Sequence, residues 1–410
     1  MRRTSCFLLI VVAGGCSDRT EPTPPLAAVA PHAAVATKEP HYDVAIIRAS
    51  LGGTQSRGTA ISNGGLVAGF SVRANGTRHA ALWSGDSITD VGTLGGPSSS
   101  VPWPGLNNNG MVVGISHTTG LDPNGEEWSC EGGAFLPVTN PRRVCRGFVW
   151  VDNEIQELPT LGGTHGFATG VNNRGQVVGW AETTVHDPTC NFARGTGLQV
   201  LQFRAVMWEP KKGTKVELPP YPGDSTSAAT AINERGQAVG ISGECDQAVG
   251  RFSARRAVRW DHGAVDTLPT LGGTSWHTPM DINERGDVVG FSNPPSAGDL
   301  AGDFLSNGFF WANGSPAVER IKPLDGNAFS EALGINDRRQ VVGVSFGGPP
   351  GLRAFLWEDG VLMNLNGLAD VSPNVLLSAQ HINDAGQITG RVLYAATGEV
   401  LVFVATPRPR

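Results

Sequence analysis

One nine-residue pattern recurs seven times along this chain and limits its fold more than any other feature. It reads aliphatic, Asn, two variable residues, usually Gly, one further residue, two aliphatics and Gly. Copies occupy residues 106–114, 171–179, 232–240, 282–290, 335–343 and 382–390, with a divergent first copy at 61–69 carrying Ser62 in the Asn position. Successive copies lie 45 to 65 residues apart. Between them stand a short apolar run ending in Trp (Trp83, Trp150, Trp208, Trp260, Trp311, Trp357) and a Leu-Gly-Gly landmark at 51–53, 94–96, 161–163 and 271–273. Three landmarks in fixed order mark a repeat protein, in which each unit buries its apolar faces against its neighbours.

Each landmark reads as β-structure. Val-Val-Gly and Ala354-Phe355-Leu356-Trp357 are apolar at consecutive positions, so both faces of their sheets must be covered. Asn-x-x-Gly between apolar runs is hairpin chemistry, because both residues tolerate the positive φ of a tight turn. A unit then holds four strands: A through the Asn, B through Val-Val-Gly, C ending at Trp, and D before Leu-Gly-Gly. Four short strands per repeat is the period of a propeller blade. Fifty-five glycines, 28 prolines and only 17% charged residues agree with turns and sheets rather than helical repeats or disorder.

The chain ends bear on closure. Residues 42–47 precede the first Leu-Gly-Gly and so take the strand D place, whereas the last unit stops after its strand C at 401–404. The fold expected is all-β: a seven-bladed β-propeller of four-stranded blades over 41–407, its last blade closed by the N-terminal strand. Closure of that kind removes the open edge that invites aggregation.

Upstream, Arg2-Arg3 and an apolar run from Phe7 to Val12 give residues 1–16 the layout of a signal peptide. Ala13-Gly14-Gly15-Cys16 resembles the lipobox of bacterial lipoproteins, which implies lipidation at Cys16. Residues 17–40 are rich in Pro, Ala and Thr and form a tether of about 27 Å as a flexible coil. The expected location is the bacterial cell envelope, lipid-anchored with the outer membrane favoured, or the medium. The membrane would be met only through that anchor.

The repeats resemble the bacterial HAF family of probable extracellular repeat proteins. His79-Ala80-Ala81 and Arg353-Ala354-Phe355 stand where the family name is read, together with Leu-Gly-Gly and Ile-Asn-x-x-Gly-x-Val-Val-Gly. The resemblance spans roughly 42–406; it implies an extracellular repeat fold and no particular activity.

In a propeller the B–C and D–A connections share one face, and the long connections here are B–C: 117–146, 181–203, 243–255 and 292–307. That face is the expected binding surface, since loops on a rigid scaffold carry function. Cys130, Cys145, Cys190 and Cys245 all fall in these loops. Four cysteines permit three pairings; Cys130–Cys145 would close one loop and Cys190–Cys245 would join neighbouring units, as an oxidising compartment favours. Zinc has no Cys-x-x-Cys or His pair to hold it, and no metal or cofactor is expected.

Trp103, Trp128 and Trp276 lie off the strand C position and are candidates to stack on a sugar or an apolar group. Two places before the repeat Asn the residue is small in five units, and Asp281 and His381 break that rule. Glu331, His165, His277 and Arg57 lie a little nearer the rim. Such groups suit acid–base work or a channel of bound water. A net charge of −6 without a basic stripe argues against nucleic acid, and no Walker, His-Glu-x-x-His or Gly-x-Ser-x-Gly motif occurs. The reading is a monomeric, non-enzymatic binding or scaffold module for a protein or glycan. The alternatives are a polysaccharide hydrolase or lyase and a structural envelope protein.

Overall fold

A computed structural model describes residues 39–126, 130, 135, 141–190, 199–246, 250–295 and 304–409. The leader, most of the tether, Cys16 and Trp128 lie outside the described residues.

The described chain is all-β, built of four-stranded antiparallel sheets with the strand order A-B-C-D read from the repeats. Five sheets are four-stranded, and an eight-stranded one has two antiparallel halves. One half is the first repeat, Gly52–Ile61, Val67–Arg73, Arg78–Ser84 and Ser87–Gly92. The other is the last repeat, Val375–Ile382, Ile388–Tyr394 and Glu399–Pro407, with Tyr42–Ile47 as its fourth strand. Tyr42–Ile47 pairs antiparallel with Glu399–Pro407 from Tyr42↔Pro407 to Ile47↔Val402. A single parallel bridge, Gln55↔Val400, joins the two halves.

The sheets pack face to face, which is why both pleat faces are apolar. Each cluster of buried side chains spans successive repeats, two in most cases and three in the one that runs from Ile115 through Phe167 to Ile241. One joins Ala231, Val239 and Ala257 to Ile282, Val288 and Phe309. Another joins Ile47 and Val402 of the last repeat to Ile61, Val67 and Trp83 of the first. The strand C tryptophans add a directional bond, since Trp83, Trp208 and Trp260 donate their indole N–H to the carbonyls of Ala49, Pro159 and Pro219. Each of those carbonyls lies in the linker that enters the same repeat.

The repeated motif is explained residue by residue. Strand A carries a register shift just before its turn, as between Ala229 and Ala231 or Ala332 and Gly334. This bulge presses a strand A carbonyl against the last Gly of Val-Val-Gly. A Cβ on Gly69, Gly179, Gly240 or Gly343 would overlap the carbonyl oxygen of Arg57, Phe167, Ala228 or Glu331. Only glycine permits that approach.

The Asn acts as donor and acceptor at once. The Asn283 carboxamide oxygen accepts the N–H groups of Arg285 and Asp287, while its Nδ2 donates to the Asn336 carbonyl of the next repeat at 3.1 Å. The same link runs from Asn107 to Asn172, to Asn233 and to Asn283, then from Asn336 to Asn383 and on to the Ser62 carbonyl. Ser62 has no amide to pass on, and its hydroxyl accepts the Leu66 N–H instead. Asn283→Ala is therefore expected to cost about 2–4 kcal/mol by orphaning several buried groups, while Ser62→Asn adds the missing link and contributes about 0.5–1.5 kcal/mol. Urea midpoints check both, and a Ser62→Asn midpoint at or below wild type would contradict the geometry.

Candidate functional site

The strand A–B turns converge on an axial pocket of about 150 Å³, lined by residues of all seven repeats. Its rim is the residue that follows each motif Asn (or Ser62). Backbone N–H groups donate in sequence from Asn63 to the Asn108 side chain, then to Asn173, Glu234, Glu284, Asp337 and Asp384, and from Asp384 back to Asn63, at 2.7–3.2 Å. The circuit has seven members and returns to its start. Amides form the rim in the first three repeats and carboxylates in the other four. Burial and the neighbouring Glu234 and Asp337 carboxylates push Glu284 upward from its ordinary pKa.

Just inside this rim the small residues Gly170 and Ala231 leave room, and Asp281 and His381 fill part of it. They face each other across Gly334, where a Cβ would stand 2.9 Å from His381 Cα. Asp281 accepts the N–H groups of Ile282 and Ile335 at 2.9 Å. His381 Nδ1 accepts the Ile61 N–H at 3.2 Å, which leaves the ring proton on Nε2, 3.7 Å from Asp281 Oδ2. Burial pushes Asp281 up to about 7, and burial holds His381 down to about 4. With these shifts the imidazole is uncharged at neutral pH and the Asp281 carboxyl titrates near neutrality.

At the loop-bearing end of the same inner strands a second group assembles. Arg57, Glu331 and Ser378 occupy one place, five residues before the turn Asn or Ser62, in repeats 1, 6 and 7; repeats 2 to 5 carry Pro102, Phe167, Ala228 and Thr278 there. Arg57 donates to Gln380, Gln380 donates to Ser378 at 2.9 Å, and Arg391 donates to Ser378 at 3.1 Å. Arg78 lies over the Phe70 ring, 4.1 Å from its centre. Burial, then repulsion from Arg391 and Arg78, lowers Arg57 to about 9. Burial pushes Glu331 up to about 7 against the pull of Arg57 and Arg391.

Beside Glu331 on the same face of its strand, two residues or about 6.6 Å away, stands the half-buried Phe329. It contacts Phe346, and Phe346 leads through Phe304 to Phe291 and Trp276, with ring centroids 5.0–6.5 Å apart. Trp276 has φ +62°, a strained value for a bulky residue, and its indole Nε1 has no hydrogen-bond partner among the described residues.

The other sequence candidates are spent inside the protein. Trp103 packs on the Cys130, Phe167 and Trp180 cluster. His277 is 3% exposed, with its ring nitrogens 2.7 Å from Ser292 Oγ and 3.0 Å from the Gly273 carbonyl. His165 is 1% exposed; its Nδ1 accepts the Cys145 N–H and its Nε2 lies 3.3 Å from Asp122. Two further carboxylates complete that network. Glu126 accepts the Val200 and Leu201 N–H groups, Glu182 accepts the His165 N–H, and Gln199 donates to both. Burial and then Glu182 raise Glu126. Asp122, Glu126 and His165 have the spacing of a metal triad, yet their oxygens already accept protein donors. Sequence gave no sign of the network, because its members come from loops 60 or more residues apart in places. Phe291, Phe304, Phe329, Phe346, Arg78 and Arg391 were likewise missed. For Phe291, Phe329 and Phe346 the signal was Phe at the loop-side ends of strands A and B in repeats 5 and 6.

Disulfides join Cys130 to Cys145 and Cys190 to Cys245. They indicate a protein outside the reducing cytoplasm.

No family model matches the chain, and no curated protein matches it. Among solved structures it is similar to the β-propeller domain of the Trilobed protease from Pyrococcus furiosus, at 8% identity and a TM-score of 0.39, covering 66% of this chain and 76% of that one. It is similar to the Pyrococcus horikoshii acylaminoacyl peptidase at 9% identity and a TM-score of 0.44, covering 91% of this chain and 53% of that one. The chain thus spans about half the length of that peptidase. A polysaccharide lyase of family PL25, an ulvan lyase, matches at 10% identity and a TM-score of 0.40, covering 90% and 96%.

The Asp281 carboxyl sets a pH dependence. Its raised pKa contributes stability that is complete below the unfolded value of about 4 and is lost as pH rises through about 7. His381 acts in the opposite sense, its contribution present above about 6.5 and lost as pH falls toward 4. The urea midpoint of wild type relative to Asp281→Asn is expected to fall between pH 5 and pH 8. A difference that stays constant or grows would show that Asp281 is ionised throughout.

Proposed function

We propose that this is an exported binding module, a closed seven-bladed β-propeller whose loop-bearing face takes a glycan. Closure is supported by the seven-membered circuit on the opposite rim and by the pairing of Tyr42–Ile47 with Glu399–Pro407. Export is supported by the two disulfides and by the signal-like leader, with lipidation at Cys16 or release as its end point. Membership of the HAF-repeat family, with a monomeric state, completes the proposal.

One observation carries the binding site: the half-buried ring series Trp276, Phe304, Phe346 and Phe329 runs up to Glu331, Arg57 and Gln380. A sugar offers an apolar C–H face and a fringe of directional hydroxyls. Flat rings beside fixed donors and acceptors match both, at little entropic cost. The backbone strain at Trp276 is consistent with such use, since strained residues gather at binding sites. A protein partner would need a broader surface than this strip.

Trp276→Ala and Phe329→Ala are each expected to weaken oligosaccharide binding roughly tenfold, measured by calorimetry on variants whose thermal midpoints match wild type. Unchanged affinity in both would remove the rings from the site.

A further inference from the structure

Among the described residues at the loop-bearing end, two guanidiniums share one carboxyl. Arg57 and Arg391 both feel the attraction of the Glu331 carboxyl. Guanidinium groups keep their charge when crowded, so their mutual repulsion is not relieved by loss of a proton. Internal bonds use only part of their donor capacity. Arg57 spends one Nη on Gln380, while its buried Nε has no hydrogen-bond partner among the described residues. Arg391 spends its Nε on Ser378. Each guanidinium carries five N–H donors in a fixed fork that fits a planar or tetrahedral oxyanion. Ser378 and Gln380 fix the two forks relative to each other, so the arrangement is built before any ligand arrives.

We propose that Arg57 and Arg391 form a subsite for an anionic substituent, a carboxylate or sulfate, on a sugar whose ring rests against Phe329 and its aromatic neighbours. This rests on the glycan reading above and narrows it to acidic polysaccharides. Glu331 stands in the subsite as an internal competitor for the same two guanidiniums. An incoming anion displaces that attraction, and neutralising Glu331 strengthens binding. A purely structural arginine cluster would behave in the reverse way, since loss of its one carboxylate partner would only weaken it.

The test is calorimetry with the full mature chain against three probes: polygalacturonate, dextran sulfate and uncharged dextran. Wild type is expected to bind at least one charged polymer, and Arg57→Gln and Arg391→Gln each to weaken that binding tenfold or more. Glu331→Gln is expected to tighten it severalfold. Thermal midpoints serve as the folding control, and the Glu331→Gln gain cannot arise from misfolding. Preference for polygalacturonate identifies the substituent as a carboxylate, preference for dextran sulfate as a sulfate ester; either supports the subsite. Charged polymers bound equally well by wild type and both arginine variants, with Trp276→Ala still weakening them, would overturn the subsite and leave the glycan reading standing. Binding of none of the three probes would overturn both.

Discussion

The structure depends on side-chain amides and carboxylates hydrogen-bonded to the backbone of a neighbouring repeat. Sheets stacked only through apolar faces slide easily, because dispersion and burial are nondirectional. At the strand A–B turns the Asn side chain fixes its own turn with one atom and the neighbouring repeat with another. The following residue adds a second interlock through Asn63, Asn108, Asn173, Glu234, Glu284, Asp337 and Asp384. Two concentric sets of bonds thus set the spacing of the inner strands. That spacing determines which side chains meet inside.

Much of this architecture was legible in the sequence because repetition removes ambiguity. A single Val-Val-Gly is uninformative, but seven such runs ending in Gly, each at the same distance from an Asn or Ser turn, describe a sheet edge. The place of Tyr42–Ile47 followed from counting strands, and both disulfide pairings were among those the loop positions allowed. The asymmetry of the small-residue tier pointed to Asp281 and His381, which the structure brings face to face. What escaped was whatever depends on tertiary neighbours. His165 and His277 looked like rim residues, yet the strands turn them into the protein. Glu126 meets Glu182 and Gln199 through loops whose course no local pattern encodes. The Asn-x-x-Gly turn was read as a turn alone, and its link to the next repeat is invisible within one unit.

The inner strands have two chemically distinct ends. At the turn side, the axial pocket is small and acidic, and its polar groups are largely engaged in holding the rim. At the loop side, flat rings stand near Arg57, whose Nε has no hydrogen-bond partner among the described residues. Expectation had placed binding on the loop side from loop length alone. Aromatic rings and the Arg57 guanidinium gather on that same side.

Amide hydrogen exchange at the turn tips tests this account most directly. Backbone N–H groups at exposed hairpin tips ordinarily exchange within seconds, and nothing in a free turn would protect them. The circuit predicts slow exchange at Asn63, Asn108, Asn173, Glu234, Glu284, Asp337 and Asp384, with Asp384 and Asn63 protected as well as the others. Fast exchange at Asp384 and Asn63 beside slow exchange elsewhere would mean that the last repeat does not meet the first, and the account would fail at that seam.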